Sequence, residues 1–236
     1  MSELLKVAGL CTGYGQMQIL WDVALDIQAG ERVVILGANG SGKTTLLKAL
    51  VGLLPTWQGT IEFAGESMNK LRTDARIRKG VSYLSEVGVV GSLSIEDNLR
   101  LGGYHLPRNQ VALRMEQMLE AFPELNPRRK ESAGSLSGGQ RKMVAVARAL
   151  MSGPKLVVMD EPSAGLSPLF VNEVVEIVKK FESEQMAFMI AEQNIKFLDV
   201  ADRVFVLDSG RILFSGTVAQ LQEDDTIRKA YFGIAT

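Results

Sequence analysis

Residues 37–45 read Gly37-Ala38-Asn39-Gly40-Ser41-Gly42-Lys43-Thr44-Thr45, and this stretch decides the fold. It matches the pattern G-x-x-x-x-G-K-[ST] of a loop that binds phosphate groups. Glycines let the backbone curl until several N–H groups point at one anion, and the helix that follows adds unpaired N–H groups and a partial positive charge. In such a loop Lys43 places a charge beside the last two phosphates, and the Thr44 hydroxyl suits Mg²⁺. The sequence therefore predicts a nucleotide site at 39–45.

The flanking sequence gives the loop the neighbours that it needs. The run before it, Arg32-Val33-Val34-Ile35-Leu36, is short, apolar and β-branched, as in a buried parallel strand. The run after it, 46–54, favours a helix that ends near Gly52 and Pro55. The alternative is a glycine-rich turn that fits the pattern by chance, and it does not account for a strand on one side and a helix on the other.

The composition is that of an ordinary globular protein of 236 residues, with 46% hydrophobic residues, 22% charged residues and a formal net charge of −1. That charge gives no reason to expect nucleic-acid binding, and we interpret the short basic run Arg128-Arg129-Lys130 as a solvated cluster. The single cysteine, Cys11, cannot form a disulfide within the chain, which fits a reducing compartment. We find no secretory signal and no apolar run near the ~20 residues that span a bilayer, so we expect any membrane role to be that of a peripheral subunit.

The order of candidate elements predicts an α/β fold. The first third contains candidate strands at 4–9, 19–27, 32–36 and 59–64. The middle, about 95–152, has a helical pattern that Pro107 and Pro127 interrupt, and Gly134 with Gly138-Gly139 predicts a loop before its last helix. The last third contains candidate strands at 156–160, 186–191, 203–208 and 211–215, and candidate helices at 168–183, 194–200 and 217–231. Strands that alternate with helices in this way indicate a parallel sheet with helices packed on it.

A second motif places two acids at the end of an apolar strand, Leu156-Val157-Val158-Met159-Asp160-Glu161. Ligands of open α/β sheets bind at the carboxyl ends of the strands, so both carboxylates should lie at the ligand edge. Asp160 suits Mg²⁺, usually through water, and Glu161 could orient or deprotonate an attacking water. The alternative is an acidic turn that caps the next helix.

A third motif, Leu136-Ser137-Gly138-Gly139-Gln140, stands before the helical run 141–151. Ser137 suits the position before a helix, and the glycines allow an anion to approach the amide groups. One nucleotide that the first loop already surrounds cannot reach this helix in the same chain without a large rearrangement. We therefore predict a dimer in which the third motif of each chain covers the nucleotide that the other chain binds. The alternative is that the motif is an ordinary helix cap in a glycine-rich loop.

With these motifs at these separations, the chain resembles the ATP-binding subunits of ABC transporters from about residue 4 to 232. The resemblance implies the ABC ATPase type of P-loop NTPase fold across 1–236. It implies an ATP-binding core with an antiparallel β-lobe at 1–85 and 153–236, and a helical lobe at 86–152 that carries the third motif. The resemblance further implies ATP and Mg²⁺ as ligands and a head-to-tail dimer.

Individual site residues also follow from the resemblance. Tyr14 matches the aromatic residue that stacks on adenine, although an exposed loop tyrosine is the alternative. Ser163-Ala164-Gly165-Leu166-Ser167-Pro168 matches the loop that crosses the dimer interface, called the D-loop. Ser137, Gly138, Gly139 and Gln140 would bind the partner's nucleotide. Glu161 would activate water, and Thr44 with Asp160 would hold Mg²⁺.

Two positions depart from the general family pattern. Glu86 stands where most relatives have a glutamine that senses the γ-phosphate and Mg²⁺, and Gln193 stands where most have a histidine. The only histidine, His105, lies in the helical region and cannot replace it. Gln193 can donate a hydrogen bond to phosphate, but unlike histidine it cannot take up a proton and become positively charged. Glu86 can accept hydrogen bonds or approach Mg²⁺.

With these two residues and the run Glu192-Gln193-Asn194, the chain resembles one of the two ATPase subunits of branched-chain amino acid importers. Related importers of urea and short amides belong to the same group. The stretch Val87-Gly88-Val89-Val90-Gly91 departs even from that branch. The implied partners are a second ATPase subunit, identical or different, two integral permease subunits and, indirectly, a solute-binding protein. The implied location is the cytoplasmic face of the inner membrane. A non-transport ABC ATPase and a regulatory nucleotide binder with little hydrolysis are the alternatives.

Overall fold

The protein is described from a computed structural model, which covers residues 2–85, 88–181 and 186–224. The strands of these residues are β1 (Glu3–Tyr14), β2 (Met17–Gln28), β3 (Arg32–Leu36), β4 (Gln58–Phe63), β5 (Glu66–Ser67), β6 (Val81–Leu84), β7 (Leu156–Asp160), β8 (Ala187–Glu192), β9 (Arg203–Asp208) and β10 (Arg211–Gly216). The α-helices are α1 (Lys43–Leu50), α2 (Thr73–Arg78), α3 (Ile95–Gly102), α4 (Arg108–Ala121), α5 (Gly138–Leu150), α6 (Pro168–Lys180) and α7 (Val218–Glu223). Short 3₁₀ helices cover Pro123–Arg128, Ala133–Ser135 and Ile195–Val200.

The described strands form two sheets, one antiparallel and one mainly parallel. The antiparallel sheet has the order β2-β1-β4-β5, and the six-stranded sheet has the order β10-β9-β3-β8-β7-β6. In the second sheet only the edge pair β10–β9 is antiparallel. The predicted parallel sheet and the predicted antiparallel strand at 19–27 are therefore confirmed, and the sheet order places β3 and β7 on either side of β8.

Several predicted boundaries were wrong. β1 continues to Tyr14 rather than ending at residue 9, because irregular pairing around Gly9 lets the strand continue past it. α1 starts at Lys43 and ends at Leu50, since the last residues of the loop are already helical and Gly52 has a φ of 79°. The helical region predicted at 95–152 is divided into α3, α4 and α5, in agreement with the interruptions predicted at Pro107 and Pro127. The helix predicted at 194–200 is instead a 3₁₀ helix at Ile195–Val200.

Other predicted boundaries fall partly outside the described residues. α6 ends at Lys180, and residues 182 and 183 of the predicted helix at 168–183 are not described. α7 covers 218–223 of the predicted helix at 217–231, and residues from 225 onward are not described.

The core lies on both faces of the parallel sheet. Alternate residues of β3 point to opposite faces: Val34 and Leu36 belong to a cluster with α3, α4, α5 and α6, while Val33 and Ile35 belong to a cluster with α1 and the antiparallel sheet. A strand that is buried on both faces requires the continuous apolar run seen in its sequence. The helices of 95–150 thus share one buried cluster with the sheet, and their assignment to a separate lobe stays a prediction. Among the described residues, the helices are too short or too polar to cross a bilayer.

Charged groups join the two sheets at one end. Arg203 at the start of β9 donates hydrogen bonds of 2.9 and 3.1 Å to the Asp26 carboxylate on β2, and bonds of 2.8 and 3.1 Å to Glu31. These bonds hold the pKa of the Asp26 carboxyl below its ordinary value of 3.8. The contacts fix the edge of the antiparallel sheet beside the first residues of the parallel strands.

Arg203→Met should lower the free energy of unfolding at pH 7 by about 1–3 kcal/mol, because two carboxylates lose their charged donor. A lowered pKa in the folded state means that the stabilisation is present at neutral pH and is lost as the pH falls below about 3.8. Denaturant unfolding at several pH values measures this difference, with the exposed Arg108→Met as the control. An equal loss at pH 7 and in acid would contradict the ionic account.

Candidate nucleotide-binding and catalytic site

The loop of residues 37–42 turns between β3 and α1 around the side chain of Lys43. Gly40 and Gly42 have φ angles of 81° and 107°, a region that glycine occupies without strain. Lys43 Nζ donates to the carbonyl oxygens of Gly37 and Ala38 at 2.8 and 3.1 Å, and its side chain is 3% exposed. The ammonium group is therefore fixed inside the loop, at the N-terminus of α1.

The predicted residues of the loop do not all face the same way. A cavity of about 230 Å³ is lined by Asn39, Gly40, Gly42, Lys43, Thr44 and Thr45, with Ile19 and Glu161. Ser41 instead turns its hydroxyl toward Gly37, where it is buried without a hydrogen-bond partner among the described residues. The first N–H groups of α1 have no partner within the helix and open onto this cavity, so the cavity suits an anion.

The residues predicted to hold Mg²⁺ are in contact. Thr44 Oγ1 donates to Asp160 Oδ1 at 3.0 Å, which joins the first turn of α1 to the end of β7. The described residues contain no cluster of three His, Cys, Asp or Glu side chains that could hold a metal ion alone. One carboxylate and one hydroxyl fit Mg²⁺, because this ion keeps several waters and takes further oxygens from phosphates. Glu86, the third predicted ligand, lies outside the described residues.

The predicted catalytic residues meet at the mouth of the loop. Glu161 follows β7 with a φ of 44°, which directs its carboxylate away from the strand. Glu161 Oε1 lies 3.3 Å from Lys43 Nζ and 3.3 Å from Gln193 Nε2. Gln193 Nε2 also donates to Asn39 Oδ1 at 2.7 Å. The structure thus brings an acid, a cation and an amide donor to one side of the cavity.

Tyr14 lies at the end of β1 beside α1. Its ring is 44% exposed, and Lys48 Nζ lies 5.8 Å from the ring centre. An exposed aromatic face of this kind can stack on a base. Tyr14 is not among the residues that line the cavity of the loop.

The third motif forms the start of α5, on a different surface. Ser137 Oγ accepts from Gln140 N at 3.3 Å, and Gln140 Oε1 accepts from Ser137 N at 3.1 Å, so the helix has a complete capping box. Gly138 is exposed, and a Cβ built on it would meet no atom within 4 Å. None of these residues lines the cavity of the loop. The two predicted anion-binding surfaces of one chain therefore do not share this cavity.

These features agree with the comparisons to known proteins. A family model described as "ABC transporter" matches residues 20–164, more than half of the chain. The chain belongs to this family. It is an ATP-binding, ATP-hydrolysing subunit of an ABC transporter.

Relatives match over nearly their full lengths. The chain is 38% identical to the high-affinity branched-chain amino acid transport ATP-binding protein BraG of Pseudomonas aeruginosa, over 98% of this chain and 100% of that protein. It is 35% identical to the probable branched-chain amino acid transport ATP-binding protein LivF of Archaeoglobus fulgidus, over 98% and 99%. It is 31% identical to the lipopolysaccharide export system ATP-binding protein LptB of Haemophilus influenzae, over 98% of each.

Solved ABC cassettes share the fold. The ADP conformation of an ATP-binding cassette of an ABC transporter has a TM-score of 0.85 at 25% identity, over 99% of this chain and 100% of that one. A nucleotide-free ATP-binding cassette has a TM-score of 0.86 at 24% identity over the whole of both chains. The predicted ABC ATPase fold is confirmed.

Sequence reasoning assigned no role to two residues of the cassette that hold the site together. Tyr83 on β6 donates from its hydroxyl to Asp160 Oδ2 at 3.0 Å, so the carboxylate accepts a bond on each oxygen. Glu192 at the end of β8 is 2% exposed. Its Oε1 accepts from Ser163 N at 2.7 Å, and its Oε2 accepts from the backbone N–H groups of Gln193 and Asn194 at 3.0 and 3.2 Å.

Glu192 therefore ties the start of the D-loop to the loop that carries Gln193. A buried carboxylate is stable when several backbone N–H groups donate to it. The run Glu192-Gln193-Asn194 carried a family resemblance in the sequence. It did not predict the contact between Glu192 and Ser163, because these residues are 29 positions apart in the chain. An acid at the end of a predicted buried strand was the signal that could have identified it.

Glu192→Gln should lower the free energy of unfolding of the cassette by about 1–3 kcal/mol, because the amide NH₂ group cannot accept from a backbone N–H. Urea unfolding measures the loss. The exposed Glu124→Gln, which removes the same charge, serves as the control. If both variants unfold like the parent, the three backbone bonds do not require the carboxylate.

Proposed function

We propose that this cassette powers an importer of branched-chain amino acids. The observation that carries the proposal is the end-to-end similarity to BraG and LivF, at 38% and 35% identity, against 31% for LptB. The partners would be a second ATPase subunit, the same or a different chain, and two integral permease subunits. The cassette would sit on them as a peripheral subunit at the cytoplasmic face of the inner membrane.

The chemistry of the proposed site starts from Lys43 and Glu161. A bound γ-phosphate would offer Lys43 a stronger acceptor than the two carbonyl oxygens and Glu161 that it now contacts. Glu161, released from the ammonium group, would then accept a proton from the attacking water. Gln193 would donate from its amide to the phosphate or hold Asn39 in place. Lys43 would neutralise charge that develops on the phosphate oxygens.

The residues that would hold Mg²⁺ are Thr44 and Asp160. When bound, this ion would neutralise phosphate charge and orient the triphosphate. The Tyr83 hydroxyl fixes the second oxygen of Asp160, so that the carboxylate would keep one orientation. The role predicted for Glu86 at the metal rests on the resemblance alone, because this residue is not among the described ones.

The start of α5 would complete the site of a second chain. Ser137 and Gly138 lie at a helix N-terminus with open space in front of them, on a surface separate from the chain's own cavity. ATP bound between one chain's loop and the other's Ser137-Gly138-Gly139-Gln140 would close the two cassettes. That closure would move the attached membrane subunits.

Transport assays test which solute the proposed importer carries. The cassette should co-purify with its permease subunits from membranes, and the reconstituted complex should take up labelled leucine, isoleucine or valine when ATP is supplied. Uptake of urea in place of these amino acids would assign it to the amide importers. Absence of both would make the proposed solute class wrong and leave the ATPase assignment intact.

Glu161→Gln should lower ATP turnover at least about a hundredfold, because an amide cannot accept the proton of water at neutral pH. ATP binding should persist, and ATP should trap a dimer that size-exclusion chromatography detects. Gln193→Ala should cost much less, since no proton passes through an amide. Turnover at the parental rate in Glu161→Gln, or equal losses in both variants, would overturn the assigned roles.

Gly138→Ala should leave thermal unfolding and single-site ATP binding unchanged, because a Cβ at this position meets no atom of its own chain. Turnover should fall about tenfold or more, since the methyl group would occupy the surface that the partner's phosphate approaches. Colorimetric phosphate release measures the rate, and fluorescent nucleotide titration measures binding. A normal rate would mean that Gly138 faces no nucleotide.

A further inference from the structure

The ring of Phe170 lies directly on the backbone of Gly139. A Cβ built on Gly139 would be 2.2, 2.3 and 2.4 Å from three ring carbons of Phe170. Carbon atoms in contact are separated by about 3.5–4.0 Å, so the ring occupies the space that any side chain would need. Gly139 belongs to the first turn of α5, and Phe170 is the third residue of α6, directly after the D-loop.

A second contact lies one turn further along α5. Lys142 is buried, and its Nζ lies 3.5 Å from the carbonyl oxygen of Glu161. Residues three apart on a helix share one face, so Gly139 and Lys142 face the same segment, 161–170. Gly138 and Leu166 also line one cavity of about 270 Å³. The start of α5 is therefore packed along the D-loop rather than standing free.

We propose that Phe170 is a positioning residue, which fixes the first turn of α5 against α6 so that Ser137 and Gly138 keep one position relative to Glu161. The inference rests on the proposed function. Ser137 and Gly138 of one chain would bind the partner's nucleotide, while Glu161 of the same chain acts on its own. Phe170 would then link the two nucleotide sites within each chain.

The placement of Phe170 distinguishes it from an ordinary core residue. It is only half-buried and packs on the fringe of the core cluster, against a glycine backbone. Phe181, at the other end of α6, is fully part of that cluster. The same substitution shortens an aromatic side chain at both positions, but the ring that covers Gly139 is lost only at Phe170.

Hydrogen–deuterium exchange of the full chain tests the local contact. Phe170→Leu should raise the exchange rate of the amides at 138–142 about tenfold, and Phe181→Leu should not, although both lower the unfolding temperature. Equal exchange of this segment in the parent, Phe170→Leu and Phe181→Leu would overturn the proposal.

Dimer formation in the Glu161→Gln background tests the link between sites. Phe170→Leu should raise the ATP concentration for half-maximal dimerisation about tenfold and leave nucleotide affinity of the single chain unchanged, whereas Phe181→Leu should change neither. Dimerisation equal to the parent would overturn the role of Phe170. Failure of the Glu161→Gln parent to dimerise with its companion subunits would overturn the proposed closure, and the exchange experiment would still decide whether the ring holds α5.

Discussion

The candidate site depends on the register of three neighbouring parallel strands, β3, β8 and β7. Leu36 pairs with Glu192, and Ala191 pairs with Asp160, so the three strands end together at one edge of the sheet. The phosphate-binding loop, Gln193 and Glu161 are the next residues after these ends. Because each strand is buried on both faces, a shift in its position would expose apolar side chains and move the catalytic groups together. The core thus sets the distances at the site.

Charge balance explains why these groups can share so small a space. Asp160 and Glu192 end the neighbouring strands β7 and β8, and Glu161 directly follows β7. Each acid has different partners: hydroxyl donors for Asp160, an ammonium group for Glu161 and backbone N–H groups for Glu192. In the proposed mechanism, Lys43 would leave Glu161 for a phosphate group. Because a buried charge that leaves one partner must find another, the proposed exchange of Lys43 between Glu161 and phosphate would be a two-state event.

The sequence was sufficient for features that depend on neighbouring residues in the chain. The strands at 32–36 and 156–160 have the predicted bounds, and Ser137 caps α5 as expected. The sequence could not show contacts between distant segments. Tyr83 with Asp160, Glu192 with Ser163 and Phe170 with Gly139 each join residues from different elements, and no local pattern encodes such a pair. The roles of all the predicted site residues stay predictions, including those of Glu161, Gln193 and the metal residues, and Glu86 lies outside the described residues.

The two adjacent glycines of the third motif, Gly138 and Gly139, have different surroundings within the chain. Gly139 must lack a side chain because Phe170 occupies its space within the chain. Gly138 has no such neighbour, and its backbone is that of an ordinary helical residue. A glycine there weakens the helix by up to about 1 kcal/mol relative to alanine. No contact among the described residues requires a glycine at this position, which agrees with the proposal that another molecule approaches this surface. An anion held by the loop of a neighbouring cassette fits this position, because the N–H groups at the start of α5 face the same open space.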